Sequence, residues 1–103
     1  MIDGGDFKVA KMHSLKGCLE LYSAIEFRPL GVTVDATKWR TYGSGIYNNC
    51  DKAVNHDVLL VGVTSSSYKI KNSWGSSWGE QGFIRLSLGD TCGICEFKSY
   101  YIE

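Results

Sequence analysis

The chain has 103 residues, of which 44% are hydrophobic and 13% aromatic. This is enough for one compact domain and too little for two. Eleven acidic residues balance eleven basic ones, so no charge pattern indicates nucleic acid or an anionic membrane as a partner. The longest apolar run, residues 58–63, is too short to cross a bilayer, and the first six residues lack the features of a signal peptide.

The first half of the sequence predicts strand, helix and strand in turn. Residues 8–12 alternate polar with apolar side chains, as a strand with one buried face does. Apolar residues then recur at helical spacings, and Pro29 disfavours helical geometry in the residue before it, which predicts a helix over about residues 17–27. Residues 32–34 are typical of a second strand, and residues 38–44 of a short helical turn or loop.

The second half of the sequence predicts strands throughout. Residues 57–62 are too uniformly apolar for a one-sided strand, which favours a strand buried on both faces. The serines at 65–67 separate it from a strand at 68–71, so the two form a hairpin. Further strands are predicted over 82–87 and 99–102. The sum is a single α+β domain in which one principal helix packs on a twisted, mostly antiparallel sheet.

Two polar residues of this hairpin form a candidate catalytic pair. His56 begins its first strand and Asn72 follows its second, so the turn would bring the amide beside the imidazole. Such an amide fixes the tautomer of a histidine that serves as general base, and Trp74 could shield the hydrogen bond from water. His56 and Asn72 look like two members of a Cys-His-Asn arrangement, yet no cysteine or serine of the sequence stands in the setting of a nucleophile.

A structural interpretation of the same residues stands beside the catalytic one. A lone histidine is usually structural, and the segment N-S-W-G-S-S-W-G can be a Gly/Ser loop with two tryptophans as core anchors. That interpretation accounts for the residue types but not for their order.

The four cysteines leave two interpretations open. So many in a short chain favour two disulfides and an oxidising compartment, with three possible pairings. The alternative is a zinc site, in which Cys92 and Cys95 form a C-x-x-C pair and Cys50 with His13 or His56 completes four ligands. A second C-x-x-C, which would favour zinc, does not occur.

Five segments in the same order resemble the C-terminal, right-hand half of papain-like cysteine proteases of the cathepsin L type. They span residues 9–101 and are R-P-L-G-V-T-V-D-A, Y-G-S-G-I-Y-N-N-C, V-N-H-D-V-L-L-V-G, K-I-K-N-S-W-G-S-S-W-G-E-Q-G-F-I-R-L and C-G-I-C-E-F-K-S-Y-Y. The resemblance implies that residues 1–103 form one half-domain, with the sheet curved as a half-barrel. It also implies that the N-terminal half-domain, which carries the nucleophilic cysteine, is absent from these residues.

The resemblance implies roles for individual residues. His56 would be the general base and Asn72 would orient it. Trp74 would cover their contact, and Trp78 would line the cleft on the leaving-group side of the substrate. Because the thiol, on a helix N-terminus, and an oxyanion-hole glutamine belong to the other half-domain, this chain is expected to be one part of a cysteine endopeptidase and inactive alone.

The resemblance also bears on the disulfides and the substrate pocket. Cys50 and Cys92 fall where the family has a disulfide, and pairing Cys18 with Cys95 would leave no free thiol. The pocket for the substrate residue second from the scissile bond would be lined by Thr33, Val54, Asn55, Asp57 and Phe97. Asp57 and Phe97 depart from the family pattern, which predicts a shallow, mildly acidic pocket. Alternatively, Asp57 bonds a backbone amide or a lysine at the rim.

The expected partners follow from the same resemblance. They are the cysteine-bearing half-domain, from the same precursor or a separate chain, a peptide or protein substrate, and a propeptide or protein inhibitor. No nucleic acid, membrane, metal or cofactor is expected, and the setting would be a lysosome-like vacuole or the cell exterior. A second hypothesis is a non-catalytic domain that binds peptides or proteases through the same cleft wall.

Overall fold

The computed structural model describes residues 12–15, 17–96 and 99–102. Its elements, in chain order, are β1 (Met12–Leu15), α1 (Gly17–Ile25), β2 (Leu30–Val34), β3 (Ile46–Tyr47), β4 (His56–Val63), β5 (Ser67–Lys71), β6 (Phe83–Ser87) and β7 (Ser99–Ile102). Single-turn 3-10 helices at Trp39–Thr41 and Thr91–Gly93 lie in the connections.

The strands of the described residues form one sheet, in the order β1-β7-β2-β4-β5-β6-β3. Neighbouring strands run antiparallel except β3 and β6, which are parallel. The predicted α+β domain, with one principal helix and a mostly antiparallel sheet, is therefore confirmed. The hairpin of β4 and β5, with its turn at residues 64–66, is also confirmed.

Helix α1 packs against β2 and β4 and covers one face of the sheet. Leu21 is its buried anchor, whereas Leu19 on the opposite side is exposed. The helix ends at Ile25, two residues before the predicted end, because Phe27 instead closes a turn by donating its main-chain N–H to the carbonyl of Ala24. In the described part of the chain, no helix has the length and apolar character that a membrane span requires.

Strand β4 is not buried on both faces, and that prediction is wrong. Val58 and Leu60 point into the core, whereas Asp57 and Leu59 are exposed, Leu59 to 40% of its surface. Helix α1 covers one face of the strand at this point and leaves the other face open. Side-chain burial therefore alternates along the strand, although its sequence is mostly apolar. The strand predicted at 8–12 lies outside the described residues except for Met12, where β1 begins.

Two disulfides join distant parts of the chain. Cys50 is bonded to Cys92 and Cys18 to Cys95, the pairings expected from the sequence. The first connects the loop before β4 to the 3-10 helix Thr91–Gly93, and the second connects the start of α1 to the residues after that helix. They close segments of 42 and 77 residues, which constrains the unfolded chain more than a short loop would.

Candidate active site

His56 and Asn72 meet at the open end of the β4–β5 hairpin. Nε2 of the imidazole lies 2.8 Å from Oδ1 of the Asn72 carboxamide, and Asn72 is only 5% exposed. The main-chain N–H of Ser73 also donates to that oxygen, at 2.8 Å, which fixes which way the amide faces. Because Oδ1 can only accept, Nε2 carries the proton and Nδ1 is left with a free lone pair.

The strand pairing explains this meeting. Antiparallel pairing places Leu59 of β4 opposite Lys71 of β5, so the start of one strand lies beside the end of the other. His56 is held from its other side by β2, where it pairs with Val34. The main-chain N–H of Asn72 donates to the carbonyl of Gly82 at 3.0 Å. Regular main-chain hydrogen bonding therefore fixes the backbone positions of His56 and Asn72.

Aromatic rings continue from the imidazole in a row. The Trp74 ring lies 5.3 Å from the His56 ring, centroid to centroid, and meets Trp78 edge to face at 5.2 Å. Trp78 in turn stacks on Trp39 at 6.1 Å and donates its indole N–H to the Trp39 carbonyl at 3.0 Å. Trp74 thus lies beside the imidazole, while the fully buried Trp39 anchors the row.

A buried carboxylate holds the segment that leads into His56. Asp35, 3% exposed, accepts hydrogen bonds from the Thr37 hydroxyl at 2.6 Å, the Thr37 N–H at 3.0 Å and the Ala53 N–H at 3.1 Å. These bonds, that of the hydroxyl first, lower the pKa of Asp35. The sequence analysis missed this residue, although an aspartate two residues before a threonine is a signal for such a local turn.

Asn55 forms hydrogen bonds with the residues that follow β2. Its Oδ1 accepts from the Ala36 N–H at 3.1 Å, and its Nδ2 donates to the Thr37 hydroxyl at 2.9 Å. The side chain therefore fastens the segment before His56 to the end of β2. Val54 is half-buried and lies over Gly93, where an added Cβ would come within 2.8 Å of a Val54 methyl carbon.

Thr33 and Asp57 lie together on the exposed side of the β2–β4 pair. They are opposite each other in the register, and the Thr33 hydroxyl donates to Asp57 Oδ1 at 2.9 Å. Within the described residues this hydroxyl, rather than a backbone amide or a lysine, is the hydrogen-bond partner of Asp57. Phe97, the remaining predicted pocket residue, lies outside the described residues.

Glu80 is connected to the row of aromatic rings through the loop that contains Gly45. Its carboxylate accepts two hydrogen bonds from the Arg85 guanidinium, at 2.8 and 2.9 Å, and one from the Gly45 N–H at 3.0 Å. These contacts, that with Arg85 first, lower the pKa of Glu80 to about 2. Tyr42 bonds the Gly45 carbonyl and packs on Trp78, so the loop held by Glu80 reaches the cleft.

All four cysteines of the sequence are disulfide-bonded, so the 103 residues contain no free thiol. Zinc binding by sulfur requires thiolates. The zinc interpretation of Cys50, Cys92 and Cys95 therefore does not fit this structure, and none of the four can serve as the nucleophile.

Comparison with known proteins identifies the class to which this fold and site belong. The sequence model for papain family cysteine proteases matches residues 8–102, and the chain belongs to that family. It is 53% identical over 89 residues to Cathepsin L 2 of Paramecium tetraurelia, which covers 85% of this chain and 28% of the relative. It is 44% identical over 80 residues to Cysteine proteinase A of Leishmania mexicana, covering 73% of this chain and 22% of the relative.

Solved structures agree with the sequence relatives. A cysteine protease of Carica candamarcensis superimposes with a TM-score of 0.83 at 29% identity, over 88% of this chain and 47% of that one. The bromelain protease of Ananas comosus, solved with an inhibitor, gives 0.79 at 30% identity, over 88% and 48%. The chain therefore spans about half the length of these structures and under a third of the two sequence relatives.

Proposed function

We propose that this chain supplies the general base and its orienting amide to a papain-type cysteine endopeptidase, and that another half-domain supplies the thiol. The observation that carries the proposal is the 2.8 Å contact between His56 Nε2 and Asn72 Oδ1. An imidazole held in this way directs its basic Nδ1 away from the amide, toward whatever lies across the cleft.

In the proposed reaction His56 moves one proton back and forth. Nδ1 takes the proton of the partner's thiol, and the thiolate attacks the substrate carbonyl carbon to form a tetrahedral intermediate. As the C–N bond breaks, Nδ1 returns the proton to the leaving amine. Water then attacks the thioester, giving a proton to Nδ1, and the thiol regains it as the acid departs. Asn72 holds the Nε2 proton throughout.

The aromatic row would protect this proton transfer. The Trp74 ring lies 5.3 Å from the imidazole ring, centroid to centroid, where it would restrict the access of water to the His56–Asn72 hydrogen bond from that side. A hydrogen bond in a drier environment is electrostatically stronger. We assign the side of His56 that carries Trp78 to the leaving-group part of the substrate, and the side that carries Thr33 and Asp57 to the acyl part.

The proposed partners are the half-domain that bears the thiol, a peptide or protein substrate, and a propeptide or protein inhibitor in the same cleft. Since the fold contains two disulfides, an oxidising setting suits it. We therefore place it in a lysosome-like vacuole or outside the cell.

The test compares the 103-residue chain alone with the same chain joined to the segment that precedes the matched region in the Paramecium relative. Both are given a fluorogenic peptide and an irreversible thiol-directed epoxide probe. The chain alone should be inert to both reagents, and the joined protein should take the probe and cleave the peptide. A His56→Ala variant should lose turnover, whereas Ser66→Ala, a change in the distant hairpin turn, should not.

Two outcomes would contradict the proposal. Cleavage by the chain alone would mean that the nucleophile lies within these residues. A joined protein that folds and takes the probe, but turns over equally with and without His56, would mean that the imidazole is not the base. A folded protein that binds peptides without cleaving them would support the binding-domain hypothesis instead.

A further inference from the structure

A pocket of about 310 Å³ opens beside the aromatic row and is lined by Arg40, Trp74 and Trp78. We call it the tryptophan pocket. Trp74 is shared between this pocket and the imidazole, whose ring centroid is 5.3 Å from its own. A group bound in the pocket would therefore lie next to the proposed proton transfer.

One indole wall of the tryptophan pocket, Trp78, is held in place. Trp78 is fixed by its hydrogen bond to the Trp39 carbonyl and by its stacking on the fully buried Trp39 ring. Tyr42 packs on it from another direction, at 5.5 Å. Because these contacts order this wall in advance, binding of a ligand against Trp78 would cost little conformational entropy of that side chain.

The position of Arg40 follows from its place in the 3-10 helix Trp39–Thr41. That single turn buries Trp39 in the core and leaves the next residue, Arg40, exposed at the mouth of the pocket. The same short segment thus supplies the anchor of one wall and the positive charge at its rim.

The charge of Arg40 meets no opposite charge in the part of the chain that the structure describes. Among the described carboxylates none forms an ion pair with it. The acidic residues on the adjoining segments are bound elsewhere, Asp35 by Thr37 and Ala53, and Glu80 by Arg85 and Gly45. A guanidinium that lines a pocket together with two indoles, and that pairs with no described carboxylate, is suited to a planar carboxylate on an otherwise apolar group.

We infer that Arg40 makes the enzyme select substrates with an acidic side chain on the leaving-group side of the scissile bond. This inference rests on the proposed function and on the assignment of the Trp78 side to the leaving group. The carboxylate of a glutamate would pair with the guanidinium, while its methylene groups lie against Trp74 and Trp78. A neutral glutamine fills the same space without the ion pair.

The experiment uses the joined enzyme and matched peptides with Glu, Gln or Lys at each of the first two leaving-group positions. We expect kcat/KM to favour Glu over Gln by roughly three- to fivefold at one of these positions, the range for an ion pair near the surface. Arg40→Gln should bring the ratio to about one, Arg40→Lys should keep part of it, and Arg40→Glu should favour Lys. Added salt should reduce the wild-type ratio.

Lys69→Glu is the matched control. It changes the net charge as Arg40→Glu does, but Lys69 lies on β5, lines a different pocket and faces Arg85 across the strand pair. The Glu preference should survive in this variant. Turnover of the Gln peptides by Arg40→Gln shows that the site is still assembled.

The outcomes separate the two proposals. Equal turnover of Glu and Gln peptides by the wild type, or a Glu preference unchanged in Arg40→Gln, overturns the role of Arg40 and leaves the proposed function standing. Loss of the Glu preference in Lys69→Glu as well would show a general charge effect, and it would also overturn the role of Arg40. If no peptide is cleaved by the joined enzyme, the proposed function fails and this inference fails with it.

Discussion

The Asn72 carboxamide oxygen and His56 Nε2 lie 2.8 Å apart, and that oxygen also receives the Ser73 N–H. The second bond matters because it settles the amide orientation independently of the histidine. An asparagine held only by His56 could turn its NH₂ group toward the ring and stabilise the other tautomer. Here the main chain prevents that, so the proton stays on Nε2 and Nδ1 stays basic.

Asn72→Ala tests this positioning role. We expect kcat/KM of the joined enzyme to fall by about 10- to 100-fold, the usual effect of removing a partner that orients a functional histidine. Asn72→Asp, which keeps an acceptor oxygen at the Oδ1 position, should recover part of the rate. Equal losses of rate in Asn72→Ala and Asn72→Asp would indicate that the acceptor oxygen does not position His56.

Asp57 and Thr33 test the prediction of a shallow, mildly acidic pocket on the acyl side. We expect the joined enzyme to accept a basic or small residue second from the scissile bond better than a large aliphatic one. Asp57→Asn should remove the preference for a basic residue while keeping an acceptor for the Thr33 hydroxyl. A library profile of both enzymes measures this. Preference of the wild type for Phe or large aliphatic side chains contradicts the shallow-pocket prediction.

The elements near the site were predictable because each has a local signal. The β4–β5 hairpin follows from an apolar run, a serine turn and a second strand, and it brings His56 to Asn72 without any long-range information. The exposure of Leu59 could not be predicted in this way. An apolar run looks the same in the sequence whether one or both faces of the strand are covered. The packing of α1 on one side determines which face is buried.

The wider site depends on contacts between distant segments. Trp39 supports Trp78 across 39 residues of sequence, and Asp35 fastens a segment 18 residues further on. Neither contact leaves a periodic pattern, because each depends on how two loops meet in space. For the same reason, the hydrogen bonds of the Asn55 side chain to Ala36 and Thr37 could not be predicted from the sequence.

Trp39 provides a prediction about stability. Its ring is fully buried, yet its indole N–H has no hydrogen-bond partner among the described residues. Trp39→Ala should lower the free energy of unfolding by about 3–5 kcal/mol, because it leaves a large cavity under Trp78. Trp39→Phe should cost much less, since it also removes a buried unsatisfied donor, which costs about 1–3 kcal/mol by itself. Urea unfolding of the 103-residue chain, with its disulfides intact, measures both. Equal losses for the two variants would contradict the prediction.

The lowered pKa of Glu80 leads to a prediction of how the stability of the fold responds to acid. This pKa is lowered from 4.5 to about 2, first by the Arg85 guanidinium and then by the Gly45 N–H. Because the folded pKa lies below the unfolded one, the stabilisation is fully present above pH 4.5 and is lost as the pH falls through about 2. Glu80→Gln should therefore destabilise the wild-type fold most at neutral and mildly acidic pH.

The measurement is urea unfolding of wild type and Glu80→Gln across the acid range. The two curves should converge as the pH approaches the folded pKa, because the wild-type carboxyl then becomes neutral like the amide. Arg85→Gln is the matched control, since it removes the main cause of the lowered pKa. Its stability should depend less on pH between 4.5 and 2 than that of the wild type. A difference between wild type and Glu80→Gln that stays constant with pH would mean that shape, and not charge, makes this residue stabilising.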